Sequence, residues 1–302
     1  MNNIKIIYKI LKQTITEWLN DNAMSLAAAL AYYTVFSLAP LLVLAIAMAG
    51  AIFGEEAAHG EIVAQIQGLV GKESAEMVQE IIENADRPSV SSFASIISLA
   101  VLLFGASGVF AQLQNSLNMI WQVETKPNQG ILNIIRKRFL SFSAVLGIGF
   151  LLLVSLLTSA VVSGLSNYMS SFLPGADWLW QGVNMGISFV VIAFSFALMF
   201  KYFPDVKIQW KDVWIGSIIT AVLFTIGKFA LGLYIGNSSF SSSYGAAGSL
   251  IIVLAWVYYS AQILFFGAEF TQVYAKEYGS GIKPDKHSVF VGHRKSIPDK
   301  KI

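Results

Sequence analysis

Long apolar runs separated by short polar segments are the main pattern along the chain. A helix of about 20 apolar residues crosses the roughly 30 Å hydrocarbon core of a bilayer. Six stretches meet this requirement, so the pattern predicts an all-α polytopic membrane protein with a bundle of six transmembrane helices. The six predicted spans are approximately residues 24–53, 92–113, 139–163, 179–202, 213–236 and 248–274. Pro40 interrupts the first span, and we expect a kink there, with the freed carbonyl satisfied by a neighbouring helix or by Ser37.

Residues 1–22 show an amphipathic helical pattern instead of an apolar run. One face carries Ile4, Ile7, Leu11, Ile15 and Trp18, and another carries Lys5, Lys9 and Lys12. This arrangement is typical of a helix lying on an anionic membrane surface. A short cap packed on the bundle explains it equally well. Because these residues contain no apolar h-region of usable length, we expect no cleavable signal peptide.

The distribution of lysine and arginine predicts the orientation of the bundle. Seventeen of the 20 basic residues fall in the N-terminus, the segments 114–138 and 201–212, and the tail after residue 274. The intervening loops hold only Lys72 and Arg87. Cytoplasmic loops carry the excess of positive charge. The alternation therefore places both termini in the cytoplasm.

The first outer loop, residues 54–91, is acidic and has helical periodicity. This loop contains eight acidic residues and two basic ones. One apolar stripe comprises Ile62, Ile66 and Leu69, and a second comprises Met77 or Val78 with Ile81. We interpret the loop as two short amphipathic helices that cap the outer face. An acidic vestibule that attracts cations is the functional alternative to a solvated structural cap.

Composition agrees with this class. Of the 302 residues, 55% are hydrophobic and 13% are charged, against about 25% charged in soluble domains. Cysteine is absent, which excludes disulfides and zinc–thiolate sites. The predicted organisation is an amphipathic interfacial helix over 1–22, a six-span membrane domain over 23–275, and a basic, disordered cytoplasmic tail over 276–302.

Two charges lie inside predicted spans, where charges are rare and mark functional sites by default. Lys228 lies roughly 12 Å from the outer end of its span and Glu269 roughly 8 Å from the inner end of the next, at 1.5 Å per residue. Their different depths disfavour a direct ion pair. For Lys228, snorkelling to the interface and a place in a polar cavity remain open. For Glu269, a structural hydrogen bond to a neighbouring helix competes with substrate or proton handling.

Uncharged polar and small residues complete the set of candidates. The candidate lining of a substrate path or polar core comprises Lys228, Glu269, Tyr32, Ser107, Gln114, Tyr258 and Gln262. The candidate packing and kink positions are Pro40, Gly105, Gly108, Gly232 and Gly236, because small residues allow membrane helices to approach closely.

Signatures of soluble chemistry are missing from the sequence. The segment "VGKES" at 70–74 lacks the glycine spacing of a phosphate-binding loop and the Ser or Thr after lysine. No HExxH motif exists, and the cytoplasmic loops offer only scattered Glu124, Asp205 and Asp212. We therefore expect no enzyme, no cofactor, no metal site and no nucleic-acid partner.

Four segments carry a family resemblance: "SLAAALAYYTVFSLAPLLVLA" in the first span, "LFGASGVFAQLQNSLNMIW" at 103–121, "FPDVKIQWKDVWIGSIITAVLFTIGKFALGLYI" at 203–235 and "SSSYGAAGSLIIVLAWVYYSAQILFFGAEF" at 241–270. They resemble the YihY/BrkB family over about residues 15–280. The resemblance implies a six-helix bacterial inner-membrane protein. That family once carried a ribonuclease label, which the missing site chemistry does not support, and its members have been linked to virulence and to lipid transport.

Two functional hypotheses follow from the sequence. The first is a transporter or flippase-like translocator of a lipid or other amphiphile, with Lys228 contacting an anionic head group. The second is a non-transporting membrane scaffold or envelope-integrity factor whose polar residues hold helices together. Membrane lipids are the expected partners, and the glycine positions are compatible with a homo-oligomer.

Overall fold

The computed structural model describes residues 2–70, 75–80, 92–126, 177–236 and 246–291. Seven long helices account for most of them: α1 Asn2–Asn20, α2 Ala23–Phe53, α3 Glu55–Val70, α4 Ser92–Ile120, α5 Asp177–Tyr202, α6 Trp210–Gly236 and α7 Ala246–Glu277. Residues 75–80 are also helical. Four short strands complete the described chain: β1 Val123–Thr125, β2 Val206–Lys207, β3 Lys283–Pro284 and β4 Ser288–Phe290.

Four of these helices are long and apolar enough to cross a membrane. The spanning segments are Ala23–Val43, Met185–Tyr202, Trp210–Tyr234 and Gly248–Glu277. They coincide with four predicted spans and confirm a helical membrane protein. The predicted span 92–113 lies within α4, which is helical throughout. The predicted span 139–163 lies outside the described residues, so the total of six remains a prediction.

The main apolar core lies at the end of the bundle that the charge pattern assigns to the cytoplasm. It unites the start of α2, the end of α4, the end of α5, the start of α6 and the end of α7. Trp121, Phe200 and Phe265 are completely buried there. Burying such large aromatic side chains stabilises this end of the bundle.

Helices α6 and α7 meet through a reciprocal pair of glycine–threonine contacts. A Cβ atom added at Gly216 would overlap Thr271, and one added at Gly267 would overlap Thr220. Each threonine hydroxyl donates to the carbonyl four residues earlier, Thr220 to Gly216 and Thr271 to Gly267. The two Gly-x-x-x-Thr stretches therefore interlock, which is the close approach that small residues permit in membrane helices.

The predicted glycine positions are confirmed in part. A Cβ atom at Gly105 would lie 3.1 Å from Pro40 Cγ, and one at Gly108 would lie 3.7 Å from Ser37 Oγ. These two glycines therefore do mark the contact between α4 and α2. At Gly232, none of the described residues lies within 4 Å of a Cβ atom built there, so its role in packing remains a prediction. Gly236 ends α6.

Pro40 lies inside helix α2, as the sequence indicates. Ser37 has a different role from the predicted one. Its hydroxyl donates to the carbonyl of Gly105 at 2.7 Å, instead of to the carbonyl that Pro40 frees. Ser37 thus links α2 to α4 beside the Pro40–Gly105 contact.

The prediction of a disordered tail from residue 276 is wrong as far as residue 291. Strand β4 pairs antiparallel with β1, and β3 pairs antiparallel with β2. The tail therefore joins the two inner connections that follow α4 and α5. The physical reason is backbone pairing: strands of two or three residues carry too weak a pattern to be recognised in sequence.

Helix α1 packs on the end of α7. Ile10 is buried against Phe270 and Val273, and Lys9 Nζ donates to Glu277 Oε2 at 2.7 Å. Three apolar positions of the predicted face, Ile7, Leu11 and Ile15, are exposed. The helix thus docks on the bundle through one face and leaves apolar side chains outward on another.

The predicted topology has a direct test, because the natural chain contains no cysteine. We expect a membrane-impermeant maleimide to label Glu56→Cys in α3 on intact bacterial cells. Val289→Cys in β4 should react only after the membrane is permeabilised. Both positions are exposed, so the contrast depends on the side of the membrane and not on burial. Labelling of Val289→Cys in intact cells would contradict the orientation.

Candidate functional site: a buried carboxyl pair and a separate lysine

Glu269 is the most unusual side chain in the described part of the chain. It lies in the last third of α7 and is fully buried. Neither carboxylate oxygen accepts a hydrogen bond from an N–H or hydroxyl group among the described residues. A buried charge without partners is strongly unfavourable. An N–H or hydroxyl donor on a neighbouring helix, one of the two alternatives open for Glu269, is not found among the described residues.

An acidic side chain faces Glu269 instead. Asp21 lies in the turn between α1 and α2, and its charge and a hydrogen bond with it both influence the Glu269 carboxyl group. Asp21 Oδ2 is buried and likewise receives no N–H or hydroxyl donor among the described residues. Asn22 completes this turn with φ 52° and ψ 43°, a left-handed conformation that asparagine tolerates. The turn thus brings a carboxyl group from the start of the chain against one near its end.

Burial raises the pKa of Asp21 above its usual value. The charge of Glu17 raises this pKa further, while a hydrogen bond with Glu269 and the charge of Lys276 lower it. Two ionised carboxylates have no proton to share, whereas a single proton between them creates a hydrogen bond and removes one charge. The arrangement therefore favours a protonated carboxyl group.

The same face of α7 continues as a ladder of polar contacts. Gln272 Nε2 donates to the Ile120 carbonyl at 2.9 Å, and Lys276 Nζ donates to Gln122 Oε1 at 2.9 Å. Gln122 has a positive φ of 56°. These contacts join α7 to the end of α4, on the same face of α7 as Glu269.

Gln114 belongs to a different cluster, centred on Asp205. Gln114 Nε2 donates to Asp205 Oδ1 at 3.3 Å, and Asn118 Nδ2 donates to Oδ2 at 3.0 Å. Asn118 Oδ1 accepts from the Asp205 backbone N–H at 2.8 Å. The Asp205 carbonyl accepts from Ser288 Oγ at 2.6 Å and from the Asp285 N–H at 2.9 Å. Asp205 thus fastens the α5–α6 connection to α4 and to the tail.

Lys228 lies apart from both acidic groups. It is half-buried within the spanning segment of α6. No aspartate or glutamate side chain among the described residues forms an ion pair with Lys228. The residue before it, Gly227, has no room for a side chain, because a Cβ atom there would lie 2.6 Å from Tyr259 Cε1. The ring of Tyr259 therefore packs directly on the α6 backbone next to Lys228.

The remaining predicted residues lie at separate positions in the described structure. Tyr32 is 59% exposed and contacts Phe36 with 4.7 Å between ring centroids, so it is not part of a buried core, and its place on a substrate path remains a prediction. Ser107 is buried, and its hydroxyl donates to the Phe104 carbonyl of its own helix. Tyr258 packs against the main apolar core, and Gln262 is half-buried.

Sequence reasoning missed Asp21 and the central role of Asp205. A signal for Asp21 exists in "NDN" at 20–22, a polar turn between two helical patterns. For Asp205, the nearby "FPD" is equally turn-like. What could not be read from spacing is that each carboxyl group meets a partner more than 80 residues away. No group of three metal-binding side chains is arranged around an ion site within the described ranges.

Comparison with known proteins identifies the family. The profile of the family described as virulence factor BrkB matches residues 14–290. A UPF0761 membrane protein of Verminephrobacter eiseniae is 28% identical over 273 residues, which cover 87% of this chain and 62% of the relative. One from Rhodospirillum centenum is 28% identical over 267 residues, covering 87% and 56%. One from Psychromonas ingrahamii is 27% identical over 285 residues, covering 90% and 89%.

The chain spans about half to three-fifths of the length of the first three curated relatives it matches. No solved structure matches it. The family profile covers nearly the whole described chain, including Asp21, Asp205, Lys228 and Glu269. The resemblance seen in the sequence is thereby confirmed: this chain is an integral membrane protein and belongs to the virulence factor BrkB family.

Proposed function

We propose that the protein is a flippase-like translocator that carries an anionic amphiphile, a membrane lipid in the simplest case, across the bacterial inner membrane. The observation that carries this proposal is Lys228, a half-buried lysine inside a spanning helix with no acidic partner among the described residues. A cation at this depth is costly unless it meets water, an anion or a head group. An anionic head group supplies the missing counter-charge.

The surroundings of Lys228 support contact with a lipid. Ile226 is 62% exposed and Phe229 is 61% exposed on either side of it. Apolar side chains suit the acyl chains of an amphiphile, while the ammonium group suits its phosphate or carboxylate. Gly227 and the Tyr259 ring make one wall of this position rigid.

We expect Lys228→Met to reduce lipid translocation at least tenfold while the protein remains folded. Methionine keeps the length and flexibility of the side chain but removes its charge. The measurement is movement of fluorescent anionic and zwitterionic lipids between leaflets of proteoliposomes, with near-normal activity expected for Lys228→Arg. Lys211→Met is the matched control, because Lys211 is exposed at the start of the same helix. Normal translocation by Lys228→Met would contradict the assigned role.

The remaining expectations belong to the same proposal. The protein works without a cofactor and without enzymatic chemistry, and its partners are membrane lipids and not nucleic acid. Both termini lie in the cytoplasm, and the glycine positions allow a homo-oligomer. If the wild-type protein moves none of the tested lipids, while deletion still weakens the envelope, the alternative of a non-transporting scaffold or envelope-integrity factor is favoured.

A further inference from the structure

We infer that Asp21 and Glu269 form a binding site for a single proton, shared between the two carboxyl groups and holding the α1–α2 turn against α7. The ligand is the proton itself, and the site is independent of which cargo the protein carries. It also lies on different elements from Lys228, which is in α6.

The first argument is the lack of donors. Glu269 is fully buried, and neither of its oxygens receives an N–H or hydroxyl donor among the described residues. Asp21 Oδ2 is a third buried carboxyl oxygen without such a donor. Removing charged groups from water without hydrogen bonds is far more costly than neutralising one of them. A proton between the carboxyl groups supplies a donor and removes a charge at once, as in other facing carboxyl pairs.

The second argument is the balance of charges around the pair. Helix α1 contributes Glu17 and its following turn contributes Asp21, while α7 contributes Lys276. Helices α2, α4 and α6 add no further charged group that acts on Glu269 among the described residues. Without a proton, three carboxylates face one ammonium group. With one proton, the excess is reduced to a single negative charge.

The third argument distinguishes a proton from a metal ion. A metal ion needs several oxygen ligands converging on one point. The carboxyl groups of Glu17, Asp21 and Glu269 are not arranged in this way, since no such set of three exists in the described residues. Lys276, which acts on the same pair, would also repel a second cation.

Linkage gives the direction of the pH effect. The pKa of Asp21 is raised by folding, so the folded state binds protons more tightly than the unfolded state. The stability that this contributes is fully present below pH 3.8, the ordinary pKa of Asp21, and is lost as the pH rises through the folded value. Opening of the contact between α1 and α7 is therefore favoured at high pH.

The test is infrared difference spectroscopy of the full chain in lipid nanodiscs during a pH titration. We expect the carbonyl stretch of one protonated carboxylic acid near neutral pH, disappearing as the pH is raised. Glu269→Gln and Asp21→Asn should each abolish this band, because each removes one half of the shared site. Glu277→Gln is the matched control, since Glu277 pairs with Lys9 at the same interface, and its band should be unchanged.

Thermal unfolding followed by tryptophan fluorescence provides the second readout. The wild-type midpoint should fall as the pH rises, and this fall should be smaller in Glu269→Gln and Asp21→Asn. The inference is overturned if the band survives in Glu269→Gln, or if the folded wild type shows no such band at any pH. A band that vanishes when sodium replaces choline at constant pH would also overturn it, because it identifies a metal cation as the occupant.

Discussion

Gly267→Ala is expected to lower the free energy of unfolding by about 1–3 kcal/mol, the usual cost of overpacking a core. The new Cβ atom would overlap Thr220 Oγ1 and lie 2.8 Å from its Cγ2 and 2.9 Å from its Cβ. Rotating the threonine does not move its Cβ atom, so the two helix backbones must separate. Alanine gains about 1 kcal/mol of helix propensity over glycine, which is too little to offset a large overlap.

Reversible unfolding in mixed detergent micelles measures this effect, and Gly232→Ala in α6 is its control. Among the described residues, no atom lies within 4 Å of a Cβ atom at Gly232, so that change should be neutral or slightly stabilising. Combining Gly267→Ala with Thr220→Gly should recover part of the loss, which a double-mutant cycle quantifies. Equal stability of the Gly267 and Gly232 variants would show that the interlocking contact is not tight.

Asp205→Ala is expected to cost about 2–4 kcal/mol, because it leaves the buried amides of Gln114 and Asn118 without an acceptor, at roughly 1–3 kcal/mol each. Both amide side chains are about 95% buried, with 5% and 6% exposed. Asp205→Asn should lower the free energy of unfolding by less than Asp205→Ala, because Gln114 can turn its amide and present its oxygen to the new NH2 group. Asn118 cannot turn in this way, because its oxygen is already bound to the N–H of residue 205.

The same change should loosen the tail, which offers a second measurement. Ser288 and Asp285 both bond to the Asp205 carbonyl, so a shifted connection releases strands β3 and β4. We expect trypsin to cleave after Lys286 several-fold faster in Asp205→Ala than in the wild type. Glu124→Ala, an exposed acidic position in β1, serves as the control. Unchanged cleavage and stability would refute the role of Asp205 as the fastening point.

The helices were predictable because bilayer thickness imposes a length on every apolar run. The run at 179–202 corresponds to Asp177–Tyr202, and that at 213–236 to Trp210–Gly236. Periodicity in the outer loop was also informative. Val78 is buried with Leu42, and Ile62 and Ile66 pack around them, so the predicted stripes pack against α2. The residues that complete the second stripe lie outside the described ranges.

The contacts between helices were much less predictable. Gly216 and Gly232 both lie in apolar stretches of α6, yet within the described ranges Gly216 meets another helix and Gly232 does not. Spacing defines which side of a helix a residue occupies but not which neighbour lies on that side. Asp21 illustrates the same limit, because its importance depends on Glu269, almost 250 residues later. Lys228 and Glu269 form no ion pair with each other among the described residues.

The interlocked glycines and threonines hold α6 and α7 together as one closely packed unit. Helices α2 and α4 form a second unit through the Ser37–Gly105 hydrogen bond and the Pro40 contact. For the translocator proposed above, we expect any relative motion to occur between these two units, since sliding within either one breaks its closest contacts. Asp21 lies in the turn that leads into α2 and Glu269 lies in α7, so a gain or loss of charge there changes the contact between the two units.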